Sequence, residues 1–206
     1  MELRDDSTLR EVNVTSFRNF TIPLWELFGG NLLMVVTIVF YIAWWAASFR
    51  PNADGKTAGA GLFISLAFLS GVAAIAVLIL GINSLPQEGK GFPVRYILLG
   101  AVVFYILLLA VTQIVFQRAV TSELLLIVVW IALESAVLAV LQSSGRFSAG
   151  QTLVFAILLG LATVAGLVCY ILHYRLDEPA RFWNGLIPLI VDGGVVAVFL
   201  AMLALS

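Results

Sequence analysis

Six stretches of this chain are each long and apolar enough to cross a bilayer, and none carries Lys or Arg in its interior: residues 29–49, 58–82, 94–116, 121–142, 151–174 and 182–205. About 20 apolar residues in helical form span the hydrocarbon. The runs are apolar all round and show no strand-like alternation, which fits lipid-embedded helices and excludes a β-barrel. Composition agrees: only 11% of residues are charged, against about 25% in an ordinary soluble domain. Too little polar surface exists to cover a water-soluble globule. The expected fold is an all-α integral membrane protein, with six transmembrane helices preceded by a polar N-terminal tail.

Several function classes fall away at once. One cysteine excludes an intramolecular disulfide and a Cys-based zinc or iron–sulfur site, and one histidine excludes bis-His haem ligation. A formal net charge of −1 gives no basic footprint, so no nucleic-acid partner is expected. No lysine lies inside a span to carry a retinal Schiff base, and no nucleotide motif occurs. No cofactor and no metal site is implied. The first 28 residues hold no apolar h-region, so the expectation is an uncleaved first span that acts as the insertion signal.

The joins between runs are short and rich in helix-ending residues. Arg50-Pro51 followed by Asp54-Gly55 stops the first run, and Pro86 to Pro93 separates the second from the third. Gln117-Arg118 is the tightest join. Ser143-Ser144-Gly145-Arg146 follows the fourth run, and Pro179 is placed to start the sixth helix. Joins this short predict three consecutive antiparallel hairpins. An even number of spans puts both termini on one side. Lys and Arg divide six against five between the two sides, so charge does not orient the chain.

Residues 1–28 read as a separate unit. Its tail carries Glu2, Asp5, Asp6 and Glu11, and two glycosylation sequons begin at Asn13 and Asn19. From Phe20 to Phe28 the residues turn apolar around Pro23 and Glu26. They fit either an interfacial segment with a bend at Gly29-Gly30 or an early start of the first helix at Leu24.

Glu134 and Asp192 are the informative residues. Each sits near the middle of its run, and no midplane Lys or Arg is available to pair with it. An acid at a helix centre costs about 2.5–3.5 kcal/mol on insertion scales, so such residues face the protein interior or a wet cavity. They must be neutral, ion-bound or hydrated there. Three two-helix units can be overlaid so that Ser70, Glu134 and Asp192 align, with Tyr41, Tyr105 and Thr163 one helix earlier. Apolar sequences align easily, so the repeat itself carries little weight. The placement of all six near one depth is independent of it. Trp130, one turn before Glu134, lies on the same helix face.

The candidate substrate- or ion-binding set is therefore Glu134, Asp192, Tyr41, Tyr105, Trp130, Thr163 and Ser70, with Tyr41, Tyr105 or Thr163 expected as polar neighbours of the acids. Thr112 and Gln113 are further candidate hydrogen-bond partners. Pro188 and Gly193-Gly194 predict an interrupted sixth helix beside Asp192, as at many transporter sites. The competing reading makes Gly193, Ala197 and Ala201 a small-residue packing row. Trp44, Trp45 and His173 fit an interfacial belt.

Three functions fit these residues. The first is a transporter or channel, proton- or cation-coupled, with its midplane site around the two acids. The second is a non-catalytic membrane subunit or scaffold that binds a partner protein or a second copy of itself. The third is an intramembrane enzyme acting on lipid, which lacks an activated nucleophile. Expected partners are membrane lipid, a small molecule or ion, and another membrane subunit.

Overall fold

A computed structural model of the protein describes residues 21–51, 59–85, 94–115, 117 and 122–205. These form six helices: α1 (Ile22–Phe49), α2 (Ala60–Ser84), α3 (Val94–Val115), α4 (Ser122–Ser143), α5 (Ala149–His173) and α6 (Glu178–Leu205). All six have the length and apolar composition of membrane spans. The protein is a polytopic helical membrane protein. The acidic tail, both sequons and the joins at 52–58, 86–93 and 118–121 lie outside the described residues.

Helix ends differ from the apolar runs where local chemistry extends them. α1 starts at Ile22, with Pro23 in its first turn, where a missing N–H costs nothing. It continues through Gly29-Gly30 without a break. The apolar stretch after Phe20 is thus helical and continuous with α1, with no bend at Gly29-Gly30. α5 starts two residues before its apolar run because Ser148 and Gln151 form a reciprocal capping box. α6 starts at Glu178, with Pro179 in its first turn.

Direct contacts set the register. Leu78 packs over Gly30 and Leu27 over Gly81, while Thr37 meets Gly71 and donates a 3.0 Å hydrogen bond to Ser70 Oγ. Residue numbers rise on α1 as they fall on α2, so these helices are antiparallel. The same holds for α5 and α6: Asn184 Nδ2 donates to the Cys169 carbonyl at 2.7 Å, and Phe155 stacks on Phe199 with centroids 4.8 Å apart. α3 packs against α4, and α1 also packs against α6.

α4 is the central helix. From Ala132 to Leu141 nearly every side chain is buried, whereas α3 buries only Thr112. The core joins Leu24 and Leu27 of α1 to Leu78 of α2, Val137 and Leu141 of α4, Phe155 of α5 and Phe199 of α6. Large apolar side chains cover the outside of α2, α3 and α5, as lipid contact requires.

Trp45 ties α1 to the start of α6. Its indole N–H donates to the Phe182 carbonyl at 3.1 Å, and its ring lies over Gly185. Trp45→Phe keeps a ring there and removes the donor. We expect a loss of about 1–2 kcal/mol, read as a lower unfolding midpoint in detergent. An unchanged midpoint would show that this bond holds nothing.

Candidate functional site

Three helices converge at Gly166 of α5. A Cβ on Gly166 would lie 3.6 Å from Ile127 Cδ1 of α4 and 4.0 Å from Pro188 Cβ of α6. α4 and α6 both run antiparallel to α5, and so parallel to each other. Glu134 lies seven residues beyond Ile127, two full turns, and so on the same helix face. Asp192 lies four residues beyond Pro188, one turn along the face turned to α5. At 1.5 Å per residue the acids sit about 10 Å and 6 Å from the Gly166 level, toward the same end. Their axial offset is thus about one helical turn or less.

Glu134 is fully buried, and neither carboxyl oxygen has a hydrogen-bond partner among the described residues. Asp192 is half-buried, and its Oδ1 is likewise buried and unpartnered. Trp130 is buried one turn before Glu134, and its indole N–H is unpartnered too. Buried polar groups in proteins nearly always find partners. Three unsatisfied residues on converging helix faces therefore stand out.

The remaining candidates lie elsewhere or bond elsewhere. Thr163 is on α5, but its hydroxyl donates to the Leu159 carbonyl at 2.7 Å. Ser70 donates to the Leu66 carbonyl at 2.7 Å and accepts from Thr37, within the α1–α2 interface. Tyr41 stacks on Trp44, centroids 5.1 Å apart. Tyr105 is half-buried on α3. None of Tyr41, Tyr105 and Thr163 hydrogen-bonds to Glu134 or to Asp192 Oδ1. The expectation of a hydroxyl partner is corrected for these atoms: a threonine or serine in a helix reaches its own i−4 carbonyl more easily than a neighbouring helix. Thr112 does the same, donating to the Leu108 carbonyl at 2.7 Å, and Gln113 is exposed. His173 stacks near Trp45, with ring centroids 5.8 Å apart, at the α5 end.

The interrupted helix is also corrected. α6 is continuous through Pro188 and Gly193-Gly194. Pro188 turns its ring toward Gly166, and a Cβ at Gly193 would meet Ile38 of α1 at 3.5 Å, an ordinary contact. Pro188 and Gly193 thus sit at ordinary packing contacts within an unbroken helix, and a Cβ at Gly194 would meet nothing within 4 Å.

Two polar residues escaped the sequence reading. Asn31 is fully buried; its amide donates to the Leu27 carbonyl at 2.9 Å, but its Oδ1 is unpartnered. Glu26 has a buried, unpartnered Oε2. Placing the first span at residue 29 put both near the membrane edge, where polar side chains attract no notice. Starting it at Ile22 moves them inside.

Among the described residues, no three His, Cys, Asp or Glu side chains gather to hold a metal ion. Comparison of the chain with known protein families, curated proteins and solved structures returns no match.

Proposed function

We propose that this polytopic membrane protein is a transporter or channel whose site is built around Glu134 and Asp192, and that the coupled ion is the proton. The observation that carries this reading is the fully buried Glu134 carboxyl on the central helix α4, with both oxygens unpartnered among the described residues. An acid kept for helix–helix adhesion would be satisfied by hydrogen bonds across the interface. One that must take up and release a proton, or a ligand, is left unsatisfied between events. Two acids without a third ligating side chain suit a proton better than a divalent cation, which takes several fixed oxygen ligands. Trp130 Nε1, Asn31 and Glu26 supply further buried polar atoms along the same bundle.

The test is dissipation of an imposed pH gradient in liposomes, followed by an entrapped dye. Wild-type protein should speed the decay over protein-free vesicles. The double variant E134Q/D192N should return it to the protein-free rate while eluting as a folded species in detergent. Undiminished decay in the double variant, or no acceleration by wild type, would overturn the reading.

A further inference from the structure

A groove of about 370 Å3 opens on the side of the bundle between α4 and α5, with Ile97 of α3 at one edge. Its walls run from Ile131 to Gln142 on α4 and from Thr152 to Thr163 on α5. Each wall covers 11 residue steps, about 16 Å at helical rise. That matches one leaflet, half of a hydrocarbon core about 30 Å thick. The position matches as well. Gln142 and Thr152 lie in the last and first turns of their helices, and Thr163 lies near the middle of α5.

The lining is uncharged and mostly apolar, with polar atoms at defined points. Thr152 and Thr163 donate to their own backbone, to the carbonyls of Ser148 and Leu159. Gln142 makes no such bond among the described residues and is exposed at the membrane-boundary end. Two cations stand at that same end: Arg146, four residues past Gln142, and Arg95, two residues before Ile97. At the other end of the groove no cationic side chain lies along the lining.

We infer that this groove is a binding site for one glycerophospholipid. One acyl chain lies along Leu138, Ala156 and Gly160 toward the bilayer centre. The Gln142 amide donates to the ester carbonyl, and Arg95 and Arg146 face the phosphate. The length of the groove, its neutral walls and cations at the mouth only are the pattern of a phospholipid's own polarity. The site is independent of proton coupling, since it uses neither Glu134 nor Asp192.

Gly160 makes the site testable. A Cβ there would meet no heavy atom within 4 Å, so the backbone has room to carry a large side chain that extends into the groove. Detergent-purified, delipidated protein is titrated with palmitoyl-oleoyl phosphatidylglycerol and read by native mass spectrometry. Wild type should take up one lipid ahead of any others. Gly160→Trp should weaken that first uptake about tenfold. Gly61→Trp is equally open but sits on α2, which contributes no residue to the groove, and it should bind as wild type does. R95Q/R146Q should weaken binding several-fold and remove the preference for phosphatidylglycerol over the corresponding diacylglycerol. Equal first uptake by Gly160→Trp and wild type would overturn the inference. So would preferred uptake of cholesterol, or a stable dimer of wild type that retains no lipid.

Discussion

Glu134→Met should give a protein more stable than wild type and without proton flux. The carboxyl is wholly buried, with neither oxygen bonded among the described residues. Methionine is unbranched and of similar length, and it fills the same space without a polar group. Replacing a buried, unpaired polar group by an apolar one of like shape removes its desolvation cost. Insertion scales put an acid at a helix centre about 2.5–3.5 kcal/mol above zero, so a gain of about 2 kcal/mol is expected. Asp192→Leu should gain less, because that carboxyl is only half-buried. The measurement is the unfolding midpoint in a fixed detergent, alongside the pH-gradient assay. A less stable Glu134→Met would mean that the carboxyl holds the bundle together, and would count against a functional role.

Valine at Gly30 or Gly81 should cost about 3 kcal/mol or more, the upper end of overpacking. A Cβ on Gly30 would lie 2.7 Å from Leu78 Cγ and Cδ2, and a Cβ on Gly81 would lie 2.8 Å from Leu27 Cδ2. Turning the leucines aside gives no full relief, because each Cβ would also stand 3.1 Å from the facing residue's backbone nitrogen. The two helices would have to separate. Gly29→Val is the control: it makes the same change one residue earlier, where nothing lies within 4 Å. Helix propensity predicts equal effects at Gly29 and Gly30. Packing predicts near-neutrality at the first and severe loss at the second. Equal midpoints for the two variants would show that α1 and α2 do not pack as closely as described. A paired Leu78→Ala should restore part of the stability of Gly30→Val, since it removes the side-chain clash but not the backbone one.

The number of helices and the character of the environment were legible in the residue string. Runs of about 20 apolar residues without interior cations have one stable setting, because every backbone N–H and C=O must be bonded within the span. The singularity of Glu134 and Asp192 was legible for the same reason: a charge-bearing group stands out against hydrocarbon. The sequence also pointed to Pro179 as a helix start, where its missing N–H is harmless.

What faces what was decided only by tertiary packing. In water, hydrophobicity separates the inside of a protein from the outside. In lipid, a leucine facing the core and a leucine facing an acyl chain have nearly the same surroundings, so no pattern marks α4 as the central helix or α3 as the peripheral one. Gly29 and Gly30 are adjacent and identical in type, yet one meets nothing and the other carries a leucine against its Cα. Pro188 and Gly193 read as a break, but α6 runs unbroken through both, in contact with α5 and α1. The Thr163 hydroxyl, expected to serve the acids, bonded instead to its own backbone, a choice made by the few ångströms between i and i−4 in a helix. Glu134 is left buried without a partner among the described residues, a condition set by how the bundle closes around α4 and encoded by no single segment.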